Sequence, residues 1–177
     1  EIRVSVIGGH TGYSSGLSRP LVAVTALGKA SGREPLRTAG ARVGDQVLVT
    51  KGIALEGTAI LAVDFADQAG SLGLTEQDLA QARQLADEIS ILPEALAIAD
   101  GGATAMHDAT RGGVLEALRE VAHRSHVGME IDADRIPVRA IVSRFAQAFR
   151  FDPLRMLSSG TVVATVPPAN APEILRS

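Results

Sequence analysis

The run Met106-His107-Asp108-Ala109-Thr110-Arg111-Gly112-Gly113 brings a carboxylate, a hydroxyl, a guanidinium and paired glycines into one short segment. Ala103 to Met106 reads as a short strand, and Gly112 to His123 reads as a helix with Val114, Leu118 and Val121 on one side. A helix start offers unpaired backbone N–H groups and the positive end of the helix dipole, which together attract an anion. Gly112 and Gly113 carry no Cβ to block a ligand's approach to the backbone. Arg111 adds a planar donor suited to phosphate. Asp108 and Thr110 are both residue types that cap helices. Two readings follow: a phosphate cradle, or a well-capped turn between a strand and a helix. The Gly-Lys-Ser/Thr ending of a Walker loop is absent.

Lys51 follows the short strand Gln46 to Thr50, and a strand end is where open α/β sheets meet ligands. It is placed either to neutralise a phosphate or as an exposed lysine. Glu56, just before Gly57, is placed to cap the next helix or to fix Lys51. Gly9-His10-Thr11 lies in a glycine-rich loop, where His10 either hydrogen-bonds a ligand or is satisfied by backbone. His107 either packs on the sheet or meets the ligand. His123 and His126 flank a helix C-terminus, where a cation is favoured, and no third ligand stands nearby to make a metal site. Asp132 and Asp134 read as a strand-end turn, because a Ca²⁺ loop needs more oxygen ligands at regular spacing. No metal ligand is assigned within the chain.

The elements that must hold these residues alternate. Ile2 to Ile7 and Leu21 to Leu27 read as strands, Ser31 to Gly44 as a linker, and Thr58 to Phe65 as a short buried helix opened by Gly57. Thr75 to Ser90 is the clearest surface helix, opened by a capping box between Thr75 and Asp78. Pro93 and Glu94 begin another helix that ends at Gly101-Gly102. Val127 to Ile131 reads as a strand. Pro137 begins a helix with Ile141, Phe145 and Phe149 inward, and Thr161 to Val166 is a last strand stopped by Pro167-Pro168. Strands interleaved with helices give an α/β class, or an α+β mixed sheet flanked by helices.

Composition narrows the function classes. With 177 residues the chain has room for one full domain and part of another. A net charge of −3, with arginines spread along the chain, argues against nucleic acid as a partner. The chain has no cysteine, so disulfides, thiolate metal sites and thiol nucleophiles are excluded within it, and a cytoplasmic setting is expected. No run is long enough to span a membrane as a helix, and no signal segment opens the sequence. Glu1 enters directly upon a strand, and Ala171 to Ser177 reads as the first turn of an unfinished helix, so a fragment of a longer polypeptide is expected.

Four blocks in order then resemble one family. Ala105 to Val114 is similar to the AM-(R/H)-D-x-T-(R/E)-GG segment of the hydrogenase expression/formation proteins, the carbamoyl dehydratase branch of the aminoimidazole ribonucleotide (AIR) synthase superfamily. Val49 to Leu61 resembles their TKG-x-x-x-EGTAIL segment. Gly8-Gly9-His10-Thr11 stands in the place of GGDT or GGET, and Asp152-Pro153-Leu154 with Ser158-Ser159-Gly160 in the place of DPL…EG.

The resemblance implies an N-terminal ATP-binding and dimerising domain, of which residues 1–33 are the tail, contributing leftover strands. It implies that residues 34–177 are an AIR synthase-like C-terminal α/β domain, truncated at its end, that covers the site with its glycine-rich loop. The implied cofactors are ATP and Mg²⁺, with the metal ligands upstream of Glu1. The implied partners are a second copy of the chain, a nucleotide and a protein of a maturation pathway. The implied activity is ATP-dependent activation of a carbamoyl or amide oxygen by phosphorylation, of the dehydratase, ligase or kinase-like kind. On that reading Lys51, Glu56 and Asp108 carry catalysis, while Gly9, His10, Thr11, Thr110, Arg111, Gly112 and Gly113 bind the nucleotide. Two departures keep alternatives open: His10 replaces a carboxylate, and Ser159 replaces the glutamate of the EG pair. AIR synthase or thiamine-phosphate kinase-like activity, or a non-catalytic nucleotide-binding or scaffold module, are the other readings.

Overall fold

The computed structural model describes residues 4–29 and 34–176. It divides into Glu1–Glu34 and Pro35–Ser177. In the first unit the described residues form no helix or strand. The strands expected at Ile2 to Ile7 and Leu21 to Leu27 are therefore not formed at Val4 to Ile7 or at Leu21 to Leu27; Ile2 and Arg3 lie outside the described residues, as do residues 30–33 of the expected linker. Val4, Val6, Leu21, Val22, Val24 and Leu27 are all exposed. A β-prone run needs a neighbour to take its N–H and C=O groups, and the described residues of the first unit supply no strand.

The second unit is a mixed α/β fold, a small sheet with helices on both faces. Its sheet comprises β1 (Gln46–Val49), β2 (Ala105–Ala109) and β3 (Thr161–Val166), in the order β1-β3-β2. Both outer strands run antiparallel to β3, so they run parallel to each other. Their C-terminal ends therefore share one edge of the sheet with the start of β3. Val49 and His107 both sit opposite Val163, which fixes that register.

β3 is buried on both sides and mostly apolar, because both sides are covered. Val162, Ala164 and Val166 pack with Ile98, Ala171 and Ile174, from α4 (Leu92–Asp100) and α7 (Ala171–Ile174). Val163 faces the other way, against Val114, Ala117 and Leu118 of α5 (Gly113–Ser125). A separate helical core joins α1 (Leu55–Asp64), α2 (Ala66–Ser71), α3 (Glu76–Gln84) and α6 (Ala140–Phe149) around Phe145 and Leu79. Phe145 and Phe149, one turn apart on α6, stack with centroids 6.0 Å apart.

Several elements depart from the sequence reading. The first helix starts at Leu55, ahead of Gly57, because Ala54 takes a left-handed φ of 59° and turns the chain early. The surface helix is α3 followed by the 3₁₀ turn Leu85–Glu88, and its capping box forms as expected: the Asp78 amide donates to Thr75 Oγ1, and the Thr75 amide donates to Asp78 Oδ2. Val127 to Ile131 is extended but pairs with no strand among the described residues. Pro137 precedes α6 rather than opening it, and its carbonyl accepts the Ile53 N–H at 3.1 Å.

Candidate functional site

The shared sheet edge gathers segments that are far apart in sequence. β1 delivers Lys51 and Gly52, β2 delivers Thr110 to Gly113, and Ser158 to Gly160 lead into β3. Thr161 Oγ1 donates to the Gly52 carbonyl at 2.6 Å, and the Ser158 N–H donates to the Thr110 carbonyl at 3.3 Å. These bonds tie the three loops together at one end of the sheet.

β2 runs on to Ala109, so His107 and Asp108 are strand residues. This corrects the capping role expected for Asp108 and Thr110. The residue before α5 is Gly112, at a left-handed φ of 82°, and no side chain caps the helix. Alternation along β2 puts His107 on the α5 side, where its Nε2 lies 2.7 Å from Glu120 Oε2. Its Nδ1 lies 3.2 Å from Asp108 Oδ1, whose side chain is half exposed.

The two glycines serve different purposes. Gly113, at φ 67°, is filled from behind by the protein itself: a Cβ there would lie 2.5 Å from the Leu154 carbonyl oxygen and 2.7 Å from that of Met156. That close approach is made by backbone rather than by a ligand, which corrects the reason expected for Gly113. The Gly113 N–H donates to Thr110 O, that of Leu115 to Leu154 O, and that of Glu116 to Gly112 O. Among the described residues the amides of Gly112 and Val114 have no protein acceptor. Val114 is fully buried, so the exposed Gly112 N–H, at the start of a thirteen-residue helix, is what anion-binding capacity these two amides retain. Arg111 is exposed and pairs with no acid among the described residues. Glu116, in the first turn, is held by Arg119; that bond keeps its carboxyl below the usual carboxylate range and raises the Arg119 guanidinium.

Lys51 reaches the same sheet edge, but its ammonium is committed elsewhere. It donates to the carbonyls of Glu88 at 2.8 Å and Ser90 at 2.7 Å, and pairs with Glu94 Oε1 at 3.0 Å. All three donors are used within the protein, which corrects the phosphate-neutralising role expected for it. Its carboxylate partner is Glu94, not Glu56. Sequence offered no sign of this, since Glu94 begins a distant helix. Beside it Arg139 forks onto the Glu88 carboxylate at 2.6 and 2.5 Å, holding that carboxyl below its ordinary range. Glu56 lies in the first turn of α1, with Oε2 buried and unpartnered among the described residues. Gly9, His10 and Thr11 lie in the first unit, all exposed. Among the described residues no group of three or more acidic or histidine side chains could hold a metal ion. No helix there is long and apolar enough to cross a membrane.

Residues 42–177 match the family described as AIR synthase related protein, C-terminal domain. The carbamoyl dehydratase HypE of Rhizobium leguminosarum is 29% identical over 99% of this chain and 48% of its own length. The crystal structure of HypE from E. coli superposes with a TM-score of 0.65 at 26% identity, covering 80% of this chain and 41% of that one. A HypE structure in complex with ATP shares the fold, with a TM-score of 0.58 at 22% identity, covering 80% of this chain and 39% of its own. The chain spans about half the length of the curated relatives that match it end to end.

Proposed function

The chain belongs to the AIR synthase related family through its C-terminal domain, and on that premise we propose that it forms the covering half of an ATP-dependent enzyme of the hydrogenase-maturation type. In this reading the γ-phosphoryl group of ATP passes to a carbamoyl or amide oxygen: a P–O bond forms to that oxygen, the bond to the bridging oxygen breaks, and ADP leaves. Positioning and charge neutralisation do most of such work.

The observation that carries the proposal is the turn before α5. It offers the exposed Gly112 amide, which has no protein acceptor, and an exposed guanidinium, at the sheet edge where three of the four blocks resembling the family meet. The Gly112 amide donates to a phosphate oxygen, and Arg111 neutralises the phosphate's charge. Glu56, whose Oε2 is buried and unpartnered among the described residues, is the carboxylate assigned to the same reaction. The nucleotide fits these donors. Mg²⁺ finds no cluster of hard ligands among the described residues, so its ligands are assigned outside them. A homodimer formed through the N-terminal domain and a partner protein of a maturation pathway belong to the same reading.

The test is release of inorganic phosphate from MgATP by the native protein, with and without a carbamoyl-bearing substrate. Release that depends on the substrate supports the proposal. Nucleotide binding with no release supports a non-catalytic nucleotide-binding module, the reading that His10 and Ser159 favour by replacing carboxylates. Absence of nucleotide binding refutes both.

A further inference from the structure

Ser158 is fully buried and joins the two loops at the sheet edge. Its hydroxyl accepts the Ala54 N–H at 2.7 Å and donates to the Met156 carbonyl at 2.9 Å. Its N–H donates to the Thr110 carbonyl, which also accepts the Gly113 N–H. One residue thus holds the start of α1 with its side chain and the turn before α5 with its backbone. The neighbouring residues add to both attachments: Leu157 O accepts the Gly57 N–H at 3.0 Å, and Leu154 O accepts the Leu115 N–H at 3.1 Å.

The turn that the hydroxyl holds is strained. Lys51 and Ala54 both take left-handed backbone conformations, with φ of 53° and 59°, although neither is glycine. Such conformations persist only where their surroundings over-determine them. Ala54 is fully buried, and Ser158 Oγ is the acceptor of its N–H. Without that oxygen the amide is left in an apolar interior with no partner, and the turn must move to find one. Moving the turn shifts Gly57 against Leu157 and so disturbs the 154–158 segment on which Gly113 sits.

We infer that Ser158 is a positioning residue: its hydroxyl couples the Lys51–Leu55 turn to the Thr110–Gly113 turn and thereby sets the affinity of the latter for the phosphates of a nucleoside triphosphate. This rests on the phosphate-binding reading proposed above. It assigns a role to a buried serine that touches no ligand, which separates it from the residues that would.

The experiment compares Ser158→Ala and Ser158→Thr with the native protein, measuring Kd for MgATP by calorimetry, KM and kcat for phosphate release, and the melting temperature. Ser158→Ala weakens MgATP binding about tenfold and raises KM in proportion, with kcat changed less. Ser158→Thr keeps the oxygen and returns Kd to within about threefold of native. If Ser158→Ala does not fold, Ser158→Cys, a near-isosteric weak acceptor, is read in the same way. A lowered melting temperature with unchanged Kd and KM shows a merely structural role and overturns the inference, while the phosphate reading stands. Failure of the native protein to bind MgATP overturns the phosphate reading itself.

Discussion

Replacing Gly113 by Ala tests whether the 154–158 segment truly packs into the turn before α5. At φ 67° an L-residue carries a left-handed penalty of about 1–2 kcal/mol. The new Cβ would also meet Leu154 O at 2.5 Å, Met156 O at 2.7 Å and Arg155 C at 2.8 Å. All three are backbone atoms, so no rotamer change relieves the clash, and overpacking of that kind costs about 1–3 kcal/mol. Together the two come to about 2–5 kcal/mol. Gly73→Ala is the matched control: its φ is 88°, but no atom lies within 4 Å of its ideal Cβ, so only the conformational penalty of about 1–2 kcal/mol applies. Urea unfolding of the native protein and the two variants reads the difference as a change in midpoint at unchanged slope. Gly113→Ala unfolds at clearly lower urea than Gly73→Ala. Equal midpoints would refute the close packing, and with it the clasp that joins Ser158 to Thr110.

Lys51→Met removes the ammonium that holds Ser90, Glu88 and Glu94 while keeping most of the stem; it lowers stability by about 2 kcal/mol, and Glu94→Gln in the same chain restores part of the loss, as a double-mutant cycle by urea unfolding shows. The Asp78 carboxyl is held below its ordinary range by the Thr75 amide first, then the Thr75 hydroxyl, with Arg144 adding to both. Its folded pKa is the lower one, so its stabilisation is present above the unfolded value of about 3.9 and is lost as pH falls through the folded value. Asp78→Asn therefore melts below the native protein at neutral pH, and the two melting curves converge in acid.

The sequence was most legible where one local pattern decided the outcome. Thr75 and Asp78 form a capping box because the reciprocal bonds need only residues three apart. β3 was readable from its Val- and Thr-rich run stopped by Pro167-Pro168, and burial on both faces leaves no alternation along it. Features that depend on distant partners were not readable. Val127 to Ile131 has strand composition, yet a strand exists only beside another, and the described residues supply none. The Lys51–Glu94 pair spans two elements joined only in the fold. Asp108 looked like a cap because Asp is a good cap, but β2 extends past it and alternation turns its side chain away from α5. Gly113 was marked by type and misread in purpose: glycine was required, but by the 154–156 backbone.

The central claim is that the turn before α5 grips a nucleotide phosphate. Calorimetric titration of MgATP into the native protein and into Arg111→Ala tests it most directly. The native protein binds MgATP saturably, and the variant binds it about ten to a hundred times more weakly, the loss expected for a charge-assisted contact. Equal affinities, or no binding by the native protein, would contradict it.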